Sequence, residues 1–288
     1  MTAQPSVQVR ALKVTAGKAA DRERCIPQEM PVALVYDGTT YAVMMASPSD
    51  LEDFALGFSL AEGIVAAPQE IESLEVVEQE NGIELRMWLA AHRRRDLFER
   101  QRRMAGPTGC GLCGVESLEA ALPVCPHVAA ELTVSAADIA SALAALEPAQ
   151  ALNRQTRAVH GAGFWTKERG LVALAEDVGR HNALDKLVGA LRRAHVDVAD
   201  GILLLTSRVS VEMVQKAAVA GAPIIVAVSA PTALALKTAE AAGITLIGVA
   251  RADGFEVFTH PHRLAGHAPE RARARSAHME ALPLPCEP

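Results

Sequence analysis

Residues 201–251 read GILLLTSRVSVEMVQKAAVAGAPIIVAVSAPTALALKTAEAAGITLIGVAR. Three short apolar runs, Gly201–Thr206, Pro223–Ser229 and Ile244–Val249, predict strands. Between them, Ser210–Ala220 and Pro231–Ala242 have the length of helices. Pro231 suits a first helical turn and Gly243 a helix end, the usual Pro-start, Gly-stop asymmetry. Strands separated by helices of about ten residues imply right-handed crossovers and a sheet with a parallel section.

The same alternation extends outward. Leu171–Ala175 and Glu256–Thr259 predict further strands, and Ser135–Leu146 and Asn182–Ala194 further helices. In Asn182–Ala194 the residues Leu184, Leu187, Val188 and Leu191 form one apolar stripe. Residues 133–264 therefore read as an α/β domain. Before it, residues 31–105 read as a small α+β domain. Val32–Tyr36 and Tyr41–Met45 flank Asp37-Gly38 as a hairpin, and Leu74–Glu78 with Ile83–Leu89 around Asn81-Gly82 predicts a second. Ser49 followed by Glu52 has the capping-box spacing for a helix carrying Leu51, Phe54, Ala55 and Phe58 that stops near Gly63. Residues 1–30 read as a polar lead-in, 106–132 as a glycine-rich cysteine loop and connection, and 265–288 as a flexible tail in which Cys286 is incidental.

Composition narrows the function. Half of the 288 residues are hydrophobic but only 3% are aromatic, so the core is built from Ala, Val, Leu and Ile, which suits helices on a mostly parallel sheet. A formal net charge of -6 argues against nucleic-acid binding by bulk electrostatics. The arginine-rich segment Arg93–Arg103 is either a solvated helix face or a docking surface for an acidic partner or an anionic ligand. Five cysteines do not make a disulfide scaffold, the amino terminus lacks an apolar secretion core, and no apolar run approaches the ~20 residues that span a membrane. These features predict a cytoplasmic chain with reduced thiols and no membrane partner.

Ligands of open α/β sheets bind beyond the carboxyl ends of the strands. The segments following the predicted strands contain Asp177, Arg180 and His181; Ser207, Arg208 and Ser210; Ser229; and Arg251. Three of these turns open helices, whose free N–H groups attract anions, and three carry an arginine suited to phosphate. Four such turns on one edge point to a phosphate-bearing ligand, a nucleotide. Each residue also has a plainer use. Asp177 or Asn182 can cap a helix, Ser210, Ser229 and Thr232 can do the same, and Glu212 with Lys216 has the spacing of a surface pair. Cys125 reads as structural.

The stretch Thr108-Gly109-Cys110-Gly111-Leu112-Cys113-Gly114 displays two thiols on a chain free to turn sharply. Zinc needs about four ligands, and the remaining cysteines and histidines form no usual second pair. A thioredoxin-like site places its cysteines at a helix start after an early strand. A persulfide carrier fits better: one thiolate accepts a sulfane sulfur, swings and releases it.

Taken together, TGCGLCG, EDVGRHNALDK, TSRVSVEMVQKA, AGAPIIVAVSAPTALA and GITLIGVAR, in this order, resemble the FdhD/NarQ family of formate dehydrogenase accessory sulfurtransferases. The resemblance runs from Pro31 to Leu264. It implies a cytidine-deaminase-like fold for the larger domain, a homodimer, and transfer of persulfide sulfur from a cysteine desulfurase to the bis-molybdopterin guanine dinucleotide form of the molybdenum cofactor before formate dehydrogenase receives it. A guanine nucleotide such as GDP would mimic that cofactor. The persulfide cysteine falls on Cys110, with Cys113 assisting or resolving. The cofactor segment falls on Val249, Ala250, Arg251, Ala252, Asp253 and Gly254; Ala250 and Gly254 stand where some members carry cysteine and arginine. The zinc deaminases hold their metal with H-x-E and P-C-x-x-C; neither occurs here in the corresponding arrangement, so no catalytic zinc is expected. Two other readings stay open: a cofactor-binding chaperone without sulfur transfer, and a dithiol redox switch.

Overall fold

A computed structural model describes residues 4–103 and 125–266. The TGCGLCG stretch with Cys110 and Cys113, most of the 106–132 connection, and the tail from 267 with Cys286 lie outside the described residues.

The alternating segment folds as predicted at its centre. Strands β9 (Ile202–Leu205), β10 (Ile224–Ala227) and β11 (Thr245–Arg251) lie parallel and adjacent. Helix α6 (Val211–Ala220) joins the first two and α7 (Ala233–Ala241) the second two. Strand β12 (Gly254–Val257) turns back antiparallel on β11. On the other side β9 pairs antiparallel with β7 (His160–Thr166), which pairs with β8 (Gly170–Asp177), giving a six-stranded mixed sheet in the order β12-β11-β10-β9-β7-β8. The sequence reading found β8 but not β7. HGAGFWT is buried along nearly its whole length, so no polar-apolar alternation marks it as a strand.

Successive residues of the central strands go to opposite faces, and both faces are covered. Ile202, Leu204, Ile224, Val226 and Ile247 meet Ile139, Ala142 and Leu146 of helix α3 (Ala136–Ala149). Leu203, Leu205, Ile225, Ala227 and Leu246 share a core with Leu184 and Leu187 of helix α5 (Arg180–Arg193) and with Met213 and Val214 of α6. That core continues into the amino-terminal region through Phe54 and Phe58 of helix α1 (Leu51–Ala61) and Leu34 and Leu85 of a four-stranded sheet. The sheet consists of β3 (Met30–Tyr36), β4 (Thr39–Ala46), β5 (Ile71–Gln79) and β6 (Gly82–Leu89), ordered β4-β3-β6-β5. The chain is therefore mixed α/β with helices packed between two sheets.

Helices α1 and α5 touch backbone to backbone, because glycines face each other's helix. A Cβ on Gly57 would stand 1.7 Å from the Asp185 carbonyl oxygen, and one on Gly189 would stand 1.9 Å from that of Asp53. Neither obstacle is a side chain that can rotate away, so the helices must separate. Gly189→Ala is expected to cost about 3 kcal/mol, the upper part of the usual overpacking range, read as a lower urea midpoint with unchanged slope.

Four local expectations need correction. Residues 1–30 are not a polar lead-in: Ser6–Thr15 (β1) and Lys18–Pro27 (β2) form an antiparallel ribbon turning at Ala16-Gly17, both at positive φ. Most of its residues are exposed, so no half-buried alternation announced it. Helix α1 is capped by Asp50 in the left-handed region with no side-chain cap bond, not by Ser49. Gln79 pairs with Gly82, which puts Glu80 and Asn81 at the hairpin turn. Pro231 precedes α7 and bridges to Val209, while the hydroxyl of Thr232 accepts the Ala235 N–H at 3.2 Å as the true cap. Helix α3 begins as expected, with the Ser135 hydroxyl accepting from the Asp138 N–H. The arginine-rich segment is helix α2 (Ala91–Arg103), in which Arg93 pairs with Glu70 and Arg94 with Asp37. Among the described residues no helix is long and apolar enough to cross a membrane.

Candidate functional site

Strands β8 and β9 both run antiparallel to β7, so β8 points the same way as β9, β10 and β11. The four turns predicted to carry chemistry consequently emerge on one edge of the sheet. Backbone bonds tie the last three of them together. The Val209 N–H donates to Ala230 O at 3.3 Å, the Thr232 N–H to Val209 O at 2.9 Å, and the Val249 N–H to Ser229 O at 3.1 Å. The Arg251 guanidinium donates to the carbonyls of Val228 and Ala250.

Within this edge the predicted residues separate by depth. Arg208, Val249, Arg251, Ala252, Asp253 and Gly254 are exposed, Arg180, His181 and Ser229 are half-buried, and Asp177, Ser207 and Ala250 are buried. The Ser207 hydroxyl donates to Arg208 O at 3.1 Å. A bulge between Gly248 and Arg251 holds Val249 at φ 51 and turns it outward. A β-branched residue in the left-handed region costs on the order of 1–3 kcal/mol, and such strain concentrates at functional sites. The strained residue opens the segment that the family resemblance assigns to the cofactor.

Most of EDVGRHNALDK turns out to be a junction beneath the edge. The carboxylate of Glu176 accepts the N–H groups of Leu152 and Asn153, both at 2.8 Å, at the start of helix α4 (Ala151–Thr156). Asp177 is wholly buried. Its Oδ1 accepts from the Gly179 N–H at 2.7 Å and the Asn182 amide at 3.0 Å, and its Oδ2 from the Ser47 N–H at 2.9 Å and Lys186 Nζ at 2.6 Å. Lys186, also wholly buried, donates to Ser47 O at 2.9 Å and lies 5.9 Å from the Phe54 ring centroid. The Asn182 amide also donates to Met45 O at 2.8 Å. The end of β4 is thus fastened to the start of α5, and Asp177 supports the edge rather than facing a ligand. Asp185 takes Lys216 Nζ at 2.8 and 2.9 Å, with Glu62 at 3.7 Å. The expected Glu212–Lys216 surface pair is therefore absent, because Lys216 turns into the interior toward the buried Asp185.

That leaves Arg180 and His181 as the motif's members that face the edge. Among the described residues five buried side-chain polar atoms lack a hydrogen-bond partner, and four sit together here: Arg180 Nε, His181 Nε2, Ser210 Oγ and Glu212 Oε2. Ser210 occupies the cap position of α6, but its hydroxyl makes no cap bond. Buried polar groups are paired in the great majority of cases, so a cluster of exceptions marks a place where a partner is expected. Burial pushes the His181 ring down to about 4, aided by the charges of Arg180 and Lys216, which leaves it neutral near pH 7. Burial raises the Glu212 carboxyl, but the neighbouring Ser210 hydroxyl, its own N–H, His181 and Arg180 more than offset this and keep it ionised. His160, at the start of β7, joins the edge beside Asp177; burial and then Arg180 hold its ring below the ordinary value. Neither Glu212 nor His160 was chosen as a site residue from sequence. Their place depends on β7 and on the inward turn of Lys216, which no local pattern shows.

Keeping His181 neutral has a pH signature. In the unfolded chain it takes up a proton below about 6.5, whereas in the fold it does so only near 4, so its effect on stability is unfavourable at low pH and vanishes as pH rises. Relative to His181→Gln, the wild type is expected to gain about 1.4 kcal/mol per pH unit between those limits. Buried Asp185, raised by desolvation to about 6, works in the opposite sense: its effect on stability declines as pH rises from the unfolded value toward about 6. Comparing the two chains across pH by urea unfolding isolates the histidine; a flat difference contradicts its assignment as a buried neutral ring.

Comparison with known proteins places both the sequence and the fold. The FdhD/NarQ family model matches residues 27–265. A relative named "Sulfur carrier protein FdhD" from Agrobacterium fabrum is 53% identical over 249 residues, covering 86% of this chain and 92% of its own. One of the same name from Xanthomonas campestris pv. campestris is 48% identical over 272 residues, covering 92% and 96%. A crystal structure from Desulfotalea psychrophila, described as that of a formate dehydrogenase accessory protein, superimposes with a TM-score of 0.72 at 26% identity, covering 91% of this chain and 100% of that one. This chain belongs to the FdhD/NarQ family.

Proposed function

We propose that this chain is a sulfur carrier that serves formate dehydrogenase by passing sulfur from a cysteine desulfurase to the molybdenum cofactor. The observation that carries the reading is the joining, in one FdhD/NarQ chain, of a two-thiol glycine-rich stretch with an edge of four turns bearing Arg180, Arg208 and Arg251. Related chains named as sulfur carriers support it.

In this reading the Cys110 thiolate attacks the terminal sulfur of the desulfurase persulfide. The new S–S bond forms on Cys110 as the desulfurase thiolate leaves, so the step needs no external oxidant. The Cys113 thiolate can then attack the inner Cys110 sulfur, forming a Cys110–Cys113 disulfide and releasing hydrosulfide toward the metal. The substrate is the bis-molybdopterin guanine dinucleotide cofactor, whose phosphates meet Arg180, Arg208 and Arg251 and the segment Val249–Gly254. Ser207 and Asp177 hold the turns from below, and Ser229 fastens the strained Val249. GDP would occupy part of the same edge. The family resemblance implies a cytidine-deaminase-like larger region, with which a mixed sheet between helical layers is in keeping, and a cytoplasmic homodimer. The formate dehydrogenase catalytic subunit is the recipient.

The test is formate dehydrogenase produced in cells with and without this chain. Active enzyme only in its presence, with molybdenum-bound sulfur as well as molybdenum retained, agrees with the proposal. Equal activity and sulfur content in both preparations would contradict it.

A further inference from the structure

A cavity of about 290 Å³ opens where the ends of α1 and α6 meet α5 and the start of α2. It lies away from the arginine-bearing edge, because α6 starts at that edge with Val211 and reaches the cavity at Lys216 and Ala220. Leu60, Val65 and Val188 give the cavity an apolar wall, and Arg93, Arg192 and Lys216 are its charged lining. Among the described residues that line it there is no carboxylate.

Two of the three cations are already neutralised. Lys216 Nζ holds both oxygens of Asp185, and Arg93 lies 2.9 Å from Glu70. Arg192 differs. It is half-buried, and its guanidinium makes one hydrogen bond among the described residues, to Ala220 O at 3.1 Å. Its neighbour Arg193, by contrast, takes the carboxylates of Glu52 and Asp53. The Arg192 fork therefore keeps most of its N–H donors for a partner at the apolar wall. Nearby acceptors are engaged: Ser59 O takes the Ile64 and Val65 N–H groups, Leu60 O that of Gly63, and Ala218 O that of Gly221. An amine or a peptide N–H thus finds these carbonyls occupied, and a phosphate dianion exceeds the one uncompensated charge.

We infer that this cavity binds a short aliphatic monocarboxylate, its carboxylate forked on Arg192 and its chain against Leu60, Val65 and Val188. Forked arginine–carboxylate pairing is strong and directional, and an alkyl chain on the apolar wall leaves water. The volume is near the lower end for small-molecule sites, which suits one such acid rather than a nucleotide. Because the lining comes from α1, α2, α5 and α6, the bound acid fastens the amino-terminal region to the sheet. The inference stands apart from the sulfur-carrier reading and does not depend on it.

The experiment titrates the full chain calorimetrically with acetate, butyrate and hexanoate, with hexylamine as the cationic counterpart. Affinity is expected to rise about fourfold for each added methylene, and hexylamine is expected not to bind. Arg192→Gln is expected to weaken hexanoate binding about tenfold or more, and Arg192→Lys to recover part of it. Val219→Glu brings a carboxylate to the lining at a side chain that is 40% exposed, so the core is undisturbed. It is expected to weaken hexanoate at least as much, and it keeps the test decisive should Arg192→Gln fail to fold. Equal affinity for acetate and hexanoate, no binding by wild type, or hexanoate binding unchanged in folded Arg192→Gln or in Val219→Glu would overturn the inference.

Discussion

Lys186→Met is expected to lower the stability of the fold by about 3–5 kcal/mol, the cost of leaving one member of a buried ion pair without the other. Lys186 and Asp177 are both wholly buried and 2.6 Å apart, so neither water nor a rotamer change can rescue the orphaned carboxylate. At roughly 2–4 °C per kcal/mol for a chain near this size, the melting temperature falls by about 6–20 °C. The lost partner also releases Ser47 O, so the end of β4 loosens from α5. Adding Asp177→Asn removes the charge but keeps an oxygen for the remaining donors. The double variant is therefore expected to be less destabilised than the two single changes added together, by a coupling on the order of 1–3 kcal/mol. Strict additivity in denaturant melts would show that the pair does not hold the two regions together.

This junction shows where sequence was sufficient and where it was not. The three parallel strands and their helices were legible because each lies between turn residues and is long enough to identify by itself. The convergence of Arg180, Arg208 and Arg251 on one edge followed from that topology. The uses of Asp177, Asn182 and Lys186 did not, since their partners Met45 and Ser47 lie more than a hundred residues earlier. A carboxylate after a strand looks the same whether it awaits a ligand or a buried lysine. Glu212 illustrates the converse. Its spacing from Lys216 suggested a surface pair, but Asp185 draws the lysine inward and leaves the carboxylate beside Arg180 and His181. The β1–β2 ribbon was missed because a two-stranded element with both faces exposed has no buried stripe to write into its sequence.

Cys110→Ala is expected to reduce formate dehydrogenase maturation to the level seen without this chain. Alanine has no sulfur to accept the sulfane atom, and no histidine, serine or carboxylate can form a persulfide in its place. Cys113→Ala keeps the acceptor and loses the resolving thiol. Its charging should be intact and its delivery slowed, unless added thiol takes over the attack on the inner sulfur. Unchanged melting temperatures for both variants would separate these losses from unfolding. Maturation that survives Cys110→Ala but fails with Cys113→Ala would exchange the two roles.

The central claim is that sulfur is carried on Cys110. Intact-protein mass after incubation with a cysteine desulfurase and cysteine tests it most directly, with wild type, Cys110→Ala and Cys113→Ala side by side. The account predicts a gain of one sulfur atom in wild type and Cys113→Ala, reversed by reductant and absent from Cys110→Ala. A wild-type chain that gains no sulfur while binding guanine nucleotide would contradict sulfur transfer and leave a protein that only holds the cofactor.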